Sequence, residues 1–301
     1  MEDNNSRVPG GITGGRKIDI GDIKVTPFVS SRFRLDGGSM FGVVPRVLWE
    51  RKATPDSMNR IDLNSNSLLI ETGGLKVLLE PGMGSKYDAK QSELYALGDG
   101  DVIKELARLG VKPEDIDLVL ATHLHLDHAG GTTASDGSHG ARPSFPNAKL
   151  VVQLEELKAA LEPHALSKGS YRQDDFVPLV DNGALMTVEG DVEVAPGVFV
   201  EMTGGHTPGH QIVRIDSGGQ EAVYPGDLVP TCAHLRLNWL MAWDLDPRAV
   251  YAHKGRLLAD CAEREALLFW SHDPCVAGCR IKTSQAGYYE IDEESVLEAN
   301  R

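Results

Sequence analysis

The segment His123-Leu124-His125-Leu126-Asp127-His128 of this 301-residue chain crowds three imidazoles and a carboxylate into one short stretch. Such a cluster loses hydration and suffers mutual repulsion unless a cation is present, and imidazole nitrogens and carboxylate oxygens are ligands for divalent metals. His123 and His125, two apart as a strand runs out, can point the same way and clamp one ion. Asp127 and His128 lie past the turn and face a second position. Three later segments carry the same residue types: His206 in Gly204-Gly205-His206-Thr207-Pro208-Gly209-His210, Asp227 in Tyr224-Pro225-Gly226-Asp227, and His272 in Ser271-His272-Asp273. His206 can complete the first ligand set, His272 the second, and the Asp227 carboxylate can bridge both, with room for a bridging hydroxide. His210 reads as a hydrogen-bonding support behind the ligands. His139, His164 and His253 stand alone and read as ordinary structural histidines.

The elements that must position these residues are legible as strands and helices. Ile18–Val29 alternates apolar and polar positions, and Ser67–Ile70 and Leu75–Leu79 flank Gly73-Gly74, a hairpin signal. Val102, Ile103, Leu106 and Leu109 recur at helical spacing before Gly110, and the apolar run Ile116–Ala121 leads directly into the histidine cluster. In the second half, strand-like pieces fall at Leu185–Val188, Val198–Met202, Gln211–Ile215 and Ala222–Tyr224. A helix from about Pro247 follows, with Val250, Leu257, Leu258 and Cys261 on its apolar side, then a buried strand at Leu267–Trp270. Strand groups alternating with helices imply two sheets packed together and covered by helices.

The order H-x-H-x-D-H, G-H-T-P-G-H, G-D and a late histidine resembles the metallo-β-lactamase superfamily over about Ile18 to Asp273. The resemblance implies an αββα sandwich, two mixed β-sheets flanked by helices, with a dinuclear metal site at one edge. It implies that His123, His125 and His206 hold the first metal, that Asp127, His128 and His272 hold the second, and that Asp227 bridges. Relatives similar to di-iron oxygen-reducing proteins carry Glu at the place of His125, so two zinc ions per chain are expected, with iron or manganese compatible. The chain reads as a tail over residues 1–15 and a single domain over residues 16–301.

Zinc makes a hydroxide available at neutral pH, and no G-x-S-x-G element offers a rival serine mechanism. Asp127 is the candidate to pass a proton to the leaving group. Two apolar stretches, one holding Met40, Phe41 and Trp49 and the other His234, Asn238, Trp239 and Trp243, read as walls at the mouth of the site for a small molecule with an apolar portion. They are similar to those of the quorum-quenching N-acyl-homoserine lactonase branch and its methyl-parathion-hydrolase-like relatives, which implies opening of a lactone ring. Many lactonases place a tyrosine three residues after the bridging aspartate; here that position is Pro230, with His234 and Asn238 as substitutes. Aryl ester, phosphotriester or dehalogenating hydrolysis on an apolar aromatic substrate is the alternative, and a metal-stabilised scaffold without turnover the remote one.

Composition narrows the partners. With 30 Lys and Arg against 44 Asp and Glu, the net charge of −14 repels phosphate backbones and anionic membranes, so neither a nucleic acid nor a membrane is expected. The four cysteines, Cys232, Cys261, Cys275 and Cys279, are too sparse for a disulfide scaffold and read as free thiols of a cytoplasmic protein. The hydrophobic segment Val43–Trp49 reads as a homodimer contact.

Overall fold

Val77-Leu78-Leu79 illustrates how one strand serves two hydrophobic layers. Val77 and Leu79 face the space between two sheets, while Leu78 faces the helices outside. The structure, a computed structural model, describes residues 17–137 and 140–299. The expected tail over residues 1–15 and His139 lie outside the described residues.

The first sheet contains β1 (Ile18–Ile20), β2 (Ile23–Asp36), β3 (Arg60–Thr72), β4 (Leu75–Leu79) and β5 (Leu118–Leu120). After a separate hairpin of β6 (Thr133–Ser135) and β7 (Ala141–Pro143), it is completed by β8 (Lys149–Gln153) and β9 (Leu185–Val188). The second sheet contains β10 (Val192–Ala195), β11 (Val198–Met202), β12 (Gln211–Ser217), β13 (Gln220–Tyr224), β14 (Leu267–Phe269) and β15 (Val276–Cys279). A hairpin of β16 (Ile281–Thr283) and β17 (Tyr289–Ile291) precedes its last strand, β18 (Leu297–Glu298). Both sheets are mixed. Strands β4, β5, β8 and β9 run parallel in the first, and β13 and β14 in the second.

Val25, Ile70, Leu120 and Val151 of the first sheet meet Val200, Val213, Ile215 and Tyr224 of the second in the central layer. Helices Val102–Arg108 and Leu154–Leu161 cover the outer face of the first sheet through Leu106 and Ala160. Helix Pro247–Glu263 covers the second through Val250, Leu257, Leu258 and Cys261, the face expected from its spacing. The architecture is thus the αββα sandwich.

Two expectations are corrected. Leu185–Val188 is a strand, yet it belongs to the first sheet, where it pairs with β8. Helix Leu154–Leu161 supplies the crossover that a parallel neighbour requires, and β8, unnoticed in the sequence, supplies the partner. The run Ile18–Val29 is two strands, because Gly21 takes a left-handed φ of 56° and turns the chain between β1 and β2.

Pattern reading also missed Lys254, which sits one turn beyond Val250 on the buried face of helix Pro247–Glu263. Its Nζ donates to the Trp239 carbonyl at 2.8 Å, and burial pushes its pKa down to about 7 against the opposing pull of Asp244. The unfolded chain keeps this lysine protonated to about pH 10, so the cost of burying it grows as pH falls from about 10 toward 7. Lys254→Met is therefore expected to be more favourable for stability at pH 7 than at pH 10 in urea titrations. Equal effects at both pH values would show that Lys254 is charged in the fold.

Candidate metal centre

Each parallel strand pair delivers its chain to the same edge of the sandwich. Glu80 follows β4 and Thr122-His123 follows β5; Asp227 follows β13 and Ser271-His272 follows β14. The C-terminal ends of parallel strands are where open α/β sheets gather functional groups, since rigid strands aim the loops beyond them. His206 arrives on the turn after β11.

All seven ligand-type residues expected from the sequence meet there. Ligand atoms of His123, His125 and His206 lie within 4.8 Å of one another, as do those of Asp127, His128 and His272, and those of His123, His128 and Asp227. Asp227 divides its oxygens between the two halves. Oδ2 is 3.3 Å from His206 Nε2, while Oδ1 is 3.3 Å from His128 Nε2 and 3.2 Å from His272 Nε2. Asp127 Oδ2 is 3.5 Å from His272 Nε2, and its side chain, 13% exposed, is the one ligand-type group of the seven that reaches toward solvent.

The tautomers explain what these atoms can do. His206 Nδ1–H donates to Asp244 Oδ1 at 2.8 Å, His272 Nδ1–H donates to the Asn64 carbonyl at 2.8 Å, and His128 Nδ1 bonds the Glu80 carboxylate. Those partners only accept in their ordinary ionised or carbonyl form, so each ring, when neutral, keeps its Nε2 lone pair facing the centre. These nitrogens crowd one another: His128 and His272 Nε2 are 3.0 Å apart, and His206 Nε2 is 3.2 Å from His125 Nδ1, so at most one nitrogen of each pair can carry a proton. His123 Nε2 and His125 Nε2 are buried without a hydrogen-bond partner among the described residues. Without an ion, burial and neighbouring imidazoles push His123 and His125 well below the usual histidine range. Burial opposes a charge on His128, but Glu80, Asp227 and Asp127 outweigh it and raise its pKa. Burial likewise works against an ionised Asp227, yet His128 and His272 hold its pKa well below the carboxylate range. Such a site is built around positive charge, and its His and Asp donor groups fit divalent metal.

The supports were largely invisible in the sequence. Glu80 is fully buried, with one oxygen on His128 and the other accepting from the Thr122 N–H at 2.5 Å. It holds a left-handed φ of 60°, a strain of roughly 1–2 kcal/mol for a residue with a Cβ. A Leu-Glu-Pro-Gly sequence at a strand end was the available signal. Glu156 and Asp244 also lacked any motif. His210 bonds Thr203 Oγ1 at 2.7 Å through Nδ1 and accepts from the Asp227 N–H at 3.1 Å through Nε2. His253 and His164 lie outside the cluster.

The expected apolar walls need correction. Phe41 stacks between Trp49 at 5.4 Å and His234 at 4.9 Å, and Met40, Phe41, Trp49 and His234 are all buried. His234 bonds Thr231 Oγ1 at 2.7 Å and the Met40 carbonyl at 2.9 Å, so neither ring nitrogen is free for a substrate. Stacked aromatic faces bury more area against each other than against an open mouth. This cluster reaches the centre at Leu126, between His125 and Asp127, and its half-buried rim is formed by Tyr87, Tyr95, Trp239 and Trp243. Asn238 is exposed on the neighbouring loop. The Pro230 carbonyl accepts from the His272 N–H at 2.9 Å.

The αββα sandwich and this edge site define a class, and the chain belongs to it: the sequence profile of the Metallo-beta-lactamase superfamily matches residues 60–272, which contain all seven ligand-type residues. The N-acyl homoserine lactonase AiiA of Bacillus thuringiensis subsp. kurstaki is 29% identical over 175 residues, covering 57% of this chain and 62% of that protein. The chain thus spans about three fifths of the length of the curated relatives it matches. A solved probable metal-dependent hydrolase from Staphylococcus aureus is 31% identical, covers 94% of this chain and 99% of its own, and superposes with a TM-score of 0.84. The dizinc quorum-quenching lactonase AidC, 22% identical and covering 94% of this chain and 98% of its own, shares the fold with a TM-score of 0.74.

Gly226 shows how strictly the backbone is held beside Asp227. It has a φ of 53°, and a Cβ there would lie 2.8 Å from both His210 Nε2 and the Thr122 side chain. Gly226→Ala is expected to cost about 2 kcal/mol or more in denaturant unfolding. Gly74→Ala, with a φ of 83° but nothing within 4 Å, is expected to cost about 1 kcal/mol. Equal costs would remove the steric argument.

Proposed function

We propose that this chain is a dinuclear zinc-dependent hydrolase that opens lactone rings, N-acyl-homoserine lactones among them. The observation that carries this reading is the pair of ligand groups facing each other across Asp227, one carboxylate oxygen toward each. In this reading His123, His125 and His206 hold one ion, Asp127, His128 and His272 the other, and Asp227 bridges. Two bound zinc ions supply a hydroxide at neutral pH and polarise the substrate carbonyl.

The protein's own groups do the rest. The Asp127 carboxylate, 13% exposed, takes up the proton of the newly formed carboxylic acid and passes it to the departing alkoxide. Asp244, Glu80 and Asn64 hold the imidazoles so that each offers its Nε2 inward. Tyr87, Tyr95, Trp239 and Trp243 form the apolar rim against which an acyl chain lies. The names of the curated relatives support lactone opening. Aryl ester or phosphotriester hydrolysis is the second reading, favoured by Pro230 standing where many lactonases carry a tyrosine and by the engaged ring of His234.

Residues 16–301 act as one domain in this reading, supported by a central layer drawn from both halves of the chain. The four cysteines form no disulfide, which suits a reducing cytoplasm. No helix among the described residues is long and apolar enough to cross a membrane. Val43, Val47 and Leu48, which are 91%, 56% and 45% exposed, form the contact for a second copy of the chain.

Asp127→Ala is expected to lower kcat on lactones by about 100-fold or more, and near wild-type turnover would sink the mechanism. His123→Ala should lose bound zinc as well as rate, measured by elemental analysis; full occupancy in that variant would refute the ligand assignment. A panel of acyl-homoserine lactones, aryl esters and phosphotriesters identifies the preferred electrophile, and a metallated protein inert on all of them would be a scaffold. Val43→Asp is expected to shift sedimentation from dimer to monomer; a monomeric wild-type chain would remove the dimer.

A further inference from the structure

Glu156 has no place in any motif, and its side chain touches no ligand. It opens helix Leu154–Leu161, fully buried, and its carboxylate accepts three hydrogen bonds. Oε1 accepts from the Leu124 N–H at 2.8 Å and the Tyr171 hydroxyl at 3.1 Å, and Oε2 accepts from the Thr207 hydroxyl at 2.5 Å. Leu124 lies between His123 and His125, and Thr207 follows His206. Tyr171 places its ring 4.8 Å from that of His125 and forms a backbone bridge with the same residue. A Cβ on Gly209 would fall 2.1 Å from the Glu156 backbone nitrogen, so the turn that carries His206 rests on the start of this helix.

The other half of the centre is held by different groups. Glu80 bonds His128, and the Asn64 carbonyl accepts from His272. Glu80 crosses over only at the Thr122 N–H. The first half therefore has Glu156 beneath its backbone and Asp244 behind His206, and the second has Glu80 behind His128.

We propose that Glu156 is a positioning residue of the His123, His125 and His206 half, tying the His123–His125 segment to the turn that carries His206 with Tyr171 bracing the contact, and that its loss loosens the ion of that half alone. The proposal rests on the dinuclear reading above. Its mechanism is geometric: Glu156 fixes where three backbone segments stand. A glutamine can keep all three contacts, its oxygen accepting from Leu124 and Tyr171 and its amide donating to a turned Thr207 hydroxyl.

Zinc uptake by equilibrium dialysis, with competition by a chromogenic chelator, tests this. Wild-type chain and Glu156→Gln are expected to hold two ions, and Glu156→Ala to bind one of them about 10–100-fold more weakly. In a His206→Ala background, Glu156→Ala should remove nothing further; in a His272→Ala background it should remove the remaining ion. Thr207→Val and Tyr171→Phe keep the carboxylate and each delete one contact, so both should weaken the same ion even where Glu156→Ala does not fold. Two ions at wild-type affinity in all these single variants, or equal losses in both histidine backgrounds, would overturn the proposal. A wild-type chain that takes up no zinc would instead overturn the hydrolase reading on which it stands.

Discussion

Buried imidazole nitrogens crowded against one another and against a buried carboxylate are the constraint on which the rest of this molecule depends. His128 and His272 approach to 3.0 Å, and His206 and His125 to 3.2 Å, while the Asp227 carboxylate reaches both groups. Such an arrangement is unfavourable unless something outside it fixes each ring and something positive occupies the middle. The protein meets the first demand with acceptors behind the rings. Asp244, Asn64 and Glu80 hold the Nδ1 sides and so decide where each Nε2 points.

Rigidity for those acceptors comes from the sandwich. The two parallel pairs, β4 with β5 and β13 with β14, lie in different sheets, and the central apolar layer sets the two sheets against each other. Segments far apart in sequence, such as His128 and His272, reach contact only because that layer is closely filled. Local strain is tolerated where the frame demands it. Glu80 keeps a left-handed backbone because both carboxylate oxygens are committed, and Gly226 turns sharply so that Asp227 can enter from the opposite sheet.

The apolar side of the site follows the same logic. Met40, Phe41, Trp49 and His234 form a buried cluster that packs against Trp239 and Met241, and substrate contact falls to the rim residues Tyr87, Tyr95, Trp239 and Trp243 in the proposed function. Lys254 donates to the Trp239 carbonyl, at the cost of burying an amine.

How much was legible in the sequence can be judged from particular residues. The strand ending before His123, the helix from Pro247 and the ligand-type residues could be read directly, because hydrophobic period and chemical type are local properties. Leu185–Val188 was legible as a strand but not as a member of the first sheet, since pairing depends on a partner, β8, that local pattern did not reveal. Phe41 and Trp49 looked like a substrate wall because an aromatic residue does not state which neighbour will cover it. Glu156 and Asp244 could not be found at all, and Glu80 only through its place in a Leu-Glu-Pro-Gly strand end, as an acidic residue is ordinary until a fold buries it against one chosen donor. The sequence by itself determined which side chains could bind a metal and in what order they occur. Tertiary structure alone decided how closely their ligand-type atoms approach, which buried carboxylates aim them and which aromatics stay accessible, because those are matters of distance between segments that only the folded layers bring together.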